Sequence, residues 1–105
     1  FMAAATTPFH AVAEMIKQMT AAGFTRLLED TEWEIEAGGR YFLTRNDSAI
    51  VAFVPGRESS PAQGIRMVGA HTDSPCLMVK PNPEIQSQGL FQLGVQIYGG
   101  ALLNP

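Results

Sequence analysis

Apolar positions along this 105-residue chain fall into two periods. Val12, Met15, Ile16 and Met19 recur at helical spacing and make one stripe. Thr7-Pro8 ahead of them predicts a helix start, with Thr7 as N-cap and Pro8 at the first helical position. Gly23 predicts its end, as the residue just past the C-cap. Residues 24–33 are mixed and acidic and show no clear period. Gly38-Gly39 marks a turn, residues 40–45 read as a strand, and Asn46-Asp47-Ser48 turns the chain into a second, more buried strand over 49–54. Together these predict a hairpin. Residues 55–64 carry Pro, Gly and Ser and read as a surface loop. Residues 65–70 form a near-continuous apolar run, of the kind found in strands covered on both faces. A short strand is expected over 77–80, broken by Pro81-Asn82-Pro83. Residues 90–98 then alternate, with Phe91, Leu93, Val95 and Ile97 on one side and Gln92, Gly94 and Gln96 on the other. Gly99-Gly100 introduces ALLNP at the end of the chain.

One helix and about five strands make a mixed α/β chain whose sheet needs two covered faces, and a single helix covers too little. The expectation is therefore the front portion of a larger α/β protein, against a small self-contained α+β domain. Composition is that of a folded protein, 46% hydrophobic and 16% charged. The net charge of −3 and the lack of any Lys/Arg cluster argue against nucleic acid. No apolar run approaches the ~18–20 residues that span a membrane. The start has no signal-peptide pattern, although Phe1 before Met2 leaves the true N-terminus open. A single cysteine forms no internal disulfide and fits a reducing compartment. Asn46-Asp47-Ser48 matches a glycosylation sequon, and a turn is the simpler reading.

The candidate chemistry sits in GAHTDSPCLMVKP, residues 69–81, at the predicted end of a strand. His71 and Asp73 are two apart, so on extended backbone they project to the same side. A carboxylate there can support a metal-ligating imidazole, fixing its tautomer and raising its basicity. The same pair serves a general base. A strand-end histidine held in a turn by Thr72, Asp73 and Ser74 is the ordinary alternative, and on spacing alone it is favoured. Ser74 lacks a nucleophile-elbow GxSxG and precedes Pro75, so it reads as a turn residue. Cys76 reads as a small buried hydrophobe, with a thiolate ligand as the minor alternative. His10, in the first helical turn, is expected to pack or to make a hydrogen bond near the helix start, and nothing in the spacing supports pairing it with His71 as a second metal ligand. Asp47 and Glu84 are expected in solvated turns, and Met15, Met19, Met67 and Met78 in the core.

Taken whole, GAHTDSPCLMVKPNPEI followed by GLFQLGVQIYGGALLNP resembles the M18 metallopeptidases, the aspartyl aminopeptidases. TPFHAVAEM and GGRYFLTRNDSAIVAF resemble the same family's N-terminal region, in the expected order. The resemblance implies the N-terminal part of a zinc-peptidase α/β/α sandwich, carrying an inserted second domain in the family. It implies a cocatalytic site with two Zn²⁺ ions, in which His71 matches the first zinc ligand and Asp73 the catalytic carboxylate that orients it. It also implies peptide substrates with acidic N-terminal residues, Asp or Glu, and a cytoplasmic homo-oligomer, usually a dodecamer. Met78 departs from the Arg of many relatives.

In the family the bridging aspartate, the catalytic glutamate and the other zinc ligands lie beyond the position matching residue 105. Residues 1–105 are thus expected to be the N-terminal portion of the catalytic domain, inactive alone. The competing expectation is a non-catalytic scaffold that uses the Gly/Gln-rich face of residues 92–100 for assembly.

Overall fold

The computed structural model describes residues 1–56 and 64–100, and the chain divides into two compact units, 1–72 and 73–105. The sequence-based loop over 55–64 therefore falls largely outside the described residues, as does the ALLNP segment at 101–105. Among the described residues there are one helix and five strands, the mixed α/β composition expected from sequence.

Unit 1 opens with helix α1, Pro8–Ala21. Thr7 caps it as expected: its backbone is extended and its hydroxyl oxygen accepts the His10 N–H. The same hydroxyl lies 2.8 Å from His10 Nδ1, so His10 makes the local bond expected of it. The helix ends at Ala22, and Gly23 follows with φ of 79°. No basic residue stands in the last turn. The missing cation comes from far along the chain, where Arg40 Nη1 donates to the Ala22 carbonyl at 3.0 Å. A guanidinium at that end satisfies an orphan carbonyl and opposes the negative pole of the helix.

Strands β1 (Thr25–Arg26), β2 (Tyr41–Arg45) and β3 (Ala49–Phe53) form one sheet in that order. β2 and β3 are the expected hairpin, and Asn46 and Asp47, both at φ 50°, make its turn. Short polar side chains tolerate this left-handed backbone because they bond locally. β1 is a two-residue parallel strand anchored by Thr25 N–H to the Arg40 carbonyl and Leu27 N–H to the Phe42 carbonyl. Two residues are too few to carry a period, so no sequence pattern marks it.

The buried apolar set of unit 1 is Ala11, Val12, Tyr41 and Phe42. Neighbouring strand residues point to opposite faces, so burial of both Tyr41 and Phe42 means that β2 is covered on both sides. On the Tyr41 side the ring meets the cross-strand Phe53 ring at 5.6 Å, and its hydroxyl accepts the Glu36 N–H at 2.9 Å. Trp33 extends this cluster, 6.4 Å from Phe53. β3 is the more exposed partner, against expectation, because the sheet ends there while β2 lies between two strands.

Residues 65–70, expected as a covered strand, belong to neither sheet. Ile65, Met67 and Val68 are 82, 84 and 99% exposed. A strand exists only where a ladder partner takes up its N–H and C=O groups, and among the described residues none lies beside this run. Met67 is thereby removed from the core.

Unit 2 is built on an antiparallel pair, β4 (Cys76–Ser87) and β5 (Leu90–Tyr98). Gln88 and Gly89, at φ 52° and 77°, form the two-residue turn. β5 has the bounds its alternation predicts. β4 is longer than the expected 77–80, because Pro81-Asn82-Pro83 does not end the strand. The register steps from Val79↔Val95 to Glu84↔Leu93, so residues 80–83 stand opposite Gly94 alone. This bulge accommodates two residues that cannot donate to a ladder. It also places Glu84 on a strand and not in a turn. Gly94 is buried, and an added Cβ would lie 3.3 Å from Ile85 Cδ1 and 3.4 Å from the Pro83 carbonyl oxygen. A glycine is what lets the bulge close over β5.

Opposed residues in an antiparallel pair share a face. One face of the hairpin thus carries Leu77, Val79, Phe91, Leu93, Val95 and Ile97, between 42 and 68% exposed. The other carries Cys76, Met78, Gln96 and Tyr98, so neither Cys76 nor Met78 is buried as expected. Contiguous apolar surface of this extent is the mark of an interface or an aggregation hazard. The 105-residue chain, purified alone, is expected to aggregate or to bind hydrophobic dyes strongly. A cooperative thermal transition of a monomer, with no dye binding, would contradict this.

Candidate functional site

Residues 64–70 lead to His71 at the end of unit 1, and the hairpin of unit 2 begins just after Asp73. The segment between them is neither helix nor strand. Thr72 ties the end of unit 1 to the β2–β3 turn, its hydroxyl donating to the Ser48 carbonyl at 3.0 Å. His71 is exposed, a placement open to solvent and ligand, and not that of a core histidine. Ser74 and Cys76 are exposed too.

Asp73 is half-buried, and its environment is set by the open end of the hairpin. The Cys76↔Tyr98 pair closes the ladder there, and the Tyr98 hydroxyl donates to Asp73 Oδ2 at 2.9 Å. Gly99 follows with φ of 91°, and a Cβ on it would meet Pro75 at 3.1–3.2 Å. Backbone thus packs directly on Pro75, and residues 73–75 are clamped from one side by the chain after β5. The sequence reading assigned Tyr98 no role. Nothing local could reveal it, because the contact joins positions 25 apart.

This arrangement leaves a mark on Tyr98. The hydrogen bond to Asp73, followed by repulsion between a phenolate and that carboxylate, raises the phenol above its ordinary 10.0. A raised value favours the protonated form, so the phenol donates at neutral pH and loses its proton as pH rises through the raised value.

Metal-binding capacity follows from the donor set. Among the described residues no three His, Cys, Asp or Glu side chains gather as a metal site. His71 supplies one imidazole, whereas a zinc centre takes about four ligands, or three with an open position. The residues present fit one contribution to such a centre and not a whole one. A cleft of about 650 Å³ lies elsewhere in unit 1, lined by Thr25, Leu27, Glu32, Trp33, Glu34 and Tyr41.

Comparison with known proteins decides the family. The profile described as "Aminopeptidase I zinc metalloprotease (M18)" matches residues 1–105. The chain belongs to the M18 family. It is 65% identical, over its full length, to a probable M18 family aminopeptidase 2 of Pseudomonas savastanoi pv. phaseolicola. It spans 24% of that relative, about a quarter of its length. Among solved structures it is similar to a chain of the cryo-EM structure of the Ape4 and Nbr1 complex. There the TM-score is 0.85 at 40% identity, covering 95% of this chain and 19% of the other. It is also similar to the S. cerevisiae mApe1 dodecamer, with a TM-score of 0.79 at 25% identity over 94% of this chain and 24% of that one.

Met78 lies across the ladder from Gln96, whose amide nitrogen is 3.7 Å from the Met78 sulfur. The neutral side chain thus has a neutral partner. Among the described residues no helix is long and apolar enough to cross a membrane.

In the complete protein, with the ring label placed at position 98 alone, the Tyr98 phenol is expected to ionise above 10.0. Asp73→Asn should bring that midpoint back down, as followed by NMR of ring-labelled tyrosine. A midpoint indifferent to residue 73 would break the assigned hydrogen bond.

Proposed function

We propose that this chain is the N-terminal portion of the catalytic domain of an M18 metallo-aminopeptidase, a zinc enzyme that removes acidic N-terminal residues from peptides. The observation that carries the reading is the family match along the whole chain. The exposed imidazole at His71 and the carboxylate at Asp73, bonded to Tyr98, support that reading.

His71 is a zinc ligand in this proposal, and Asp73 orients its ring and raises its basicity. The other ligands, and the carboxylate that moves the proton, come from outside these 105 residues. Zinc, when bound, polarises a peptide carbonyl and draws a nucleophile from water near neutral pH. Besides the His71 ligand, this chain contributes positioning: within unit 1 the Thr72 hydroxyl donates to the Ser48 carbonyl, and within unit 2 the Tyr98 hydroxyl donates to Asp73. An imidazole at a strand-free, exposed position can take up a metal without disturbing a core.

Homo-oligomerisation belongs to the same proposal. The open apolar face of β4–β5 supports it, as does the dodecameric assembly of the S. cerevisiae relative. The second reading is a scaffold in which assembly, through the Gly/Gln-rich face of residues 92–100, is retained and catalysis is not. The two differ in what the complete protein does with zinc and peptide.

In the complete protein, His71→Ala is expected to abolish nearly all aminopeptidase activity and to lose one zinc per subunit while the assembly survives. Wild-type activity in this variant would remove His71 from the site, and an inactive, zinc-free wild type would favour the scaffold. Asp73→Asn is expected to lower zinc affinity or turnover by about 10–100-fold with the fold intact. Unchanged zinc content and turnover would make Asp73 a turn residue only.

A further inference from the structure

We propose that Tyr98 is a positioning residue for this site, acting through Asp73. The inference rests on the reading of Asp73 as the carboxylate that orients His71.

Three observations within unit 2 converge on it. The Tyr98 hydroxyl is 2.9 Å from Asp73 Oδ2, within the ordinary range for an O–H···O hydrogen bond. The phenol is not placed there by chance rotation of a free side chain. Tyr98 is the last residue of β5, and its pairing with Cys76 sets its Cα opposite the start of β4, three positions after Asp73. The chain on either side is held as well, because the Gly99 backbone packs directly on Pro75. An orienting carboxylate that rotates loses its effect. A hydrogen bond from a strand-anchored phenol removes that freedom from one oxygen.

The role requires the hydroxyl and not the ring. Phenylalanine keeps the ring, the strand and the Cys76 pairing, and it deletes only the donor. A residue one step removed from the metal ligand's partner is expected to matter less than that partner. The predicted loss is about 3–10-fold, below the roughly 10–100-fold of direct outer partners.

The test is a double-mutant cycle in the complete protein, comparing wild type, Tyr98→Phe, Asp73→Asn and the double variant. Two quantities are read: the rate at which zinc is lost to a chelator, and kcat and KM on a peptide with an acidic N-terminus. Tyr98→Phe is expected to speed zinc loss and lower kcat by about 3–10-fold with KM little changed and the thermal midpoint preserved. In the Asp73→Asn background the same substitution should add almost nothing, since a tyrosine that works through the carboxylate has nothing left to position. Losses that multiply in the double variant would overturn the inference, because Tyr98 would then act by general packing. A Tyr98→Phe protein equal to wild type, beside a weakened Asp73→Asn, would overturn it while leaving the His71–Asp73 reading standing. Equal behaviour of all four proteins would sink that underlying reading, and the inference with it.

Discussion

The antiparallel ladder between β4 and β5 is the constraint on which the candidate site depends. Its Cys76↔Tyr98 pair stands at the open end, so the register decides which side chain of β5 meets the segment before β4. Side chains alternate with a period of two, and a slip of one residue would turn Tyr98 to the opposite face. The Gln88-Gly89 turn sets the register at one end, and the bulge of residues 80–83 over Gly94 resets it midway. An offset of three residues is odd, so it exchanges the two faces of β4 relative to β5. Leu77 and Val79 thus share a face with Phe91, Leu93, Val95 and Ile97, joined beyond the bulge by Glu84 and Gln86.

Unit 1 solves a different problem with long-range polar contacts. Its helix carries no cation in its last turn, and Arg40 provides one from the loop before β2. Its smallest strand is held by two backbone bonds and by Arg26, whose guanidinium donates to Thr44 Oγ1 at 2.8 Å. The apolar core is small, and Phe42 and Val12 are the largest fully enclosed side chains among the described residues. Each such side chain contributes roughly 1.5–3 kcal/mol on burial, so these few residues carry much of what keeps helix and sheet together. The exposed apolar runs at 65–68 and along the hairpin contribute nothing of this kind until something covers them.

The chemical residues of the site were legible, and their support was not. A histidine and an aspartate two apart, in a loop crowded with Thr, Ser and Cys, stand out in any reading of the chain. The family resemblance gave that pair a meaning that spacing alone could not, since a bare HxD is as common in turns. Tyr98 carried no such signal, because an aromatic residue at the end of an alternating strand is what packing alone would select. Its value lies in the hydroxyl, and where a hydroxyl points is a property of the ladder.

Local chemistry in the sequence was sufficient for the elements whose partners are near in the chain. The Thr7-Pro8 start of the helix, the Asn46-Asp47 turn and the alternation of Leu90–Tyr98 each follow from a few adjacent residues, and each appears where expected. Tertiary structure decided the rest. Residues 65–70 have a strand's composition and no strand's partner, and hydrogen bonding, not hydrophobicity, makes a strand. Pro81-Asn82-Pro83 has a breaker's composition, yet the ladder resumes beyond it because Gly94 leaves room for the excess chain. Which faces are covered, which strands pair and which hydroxyl reaches Asp73 all depend on groups distant in sequence. Periodicity records the preference of each segment, and only the assembled chain determines whether that preference is met.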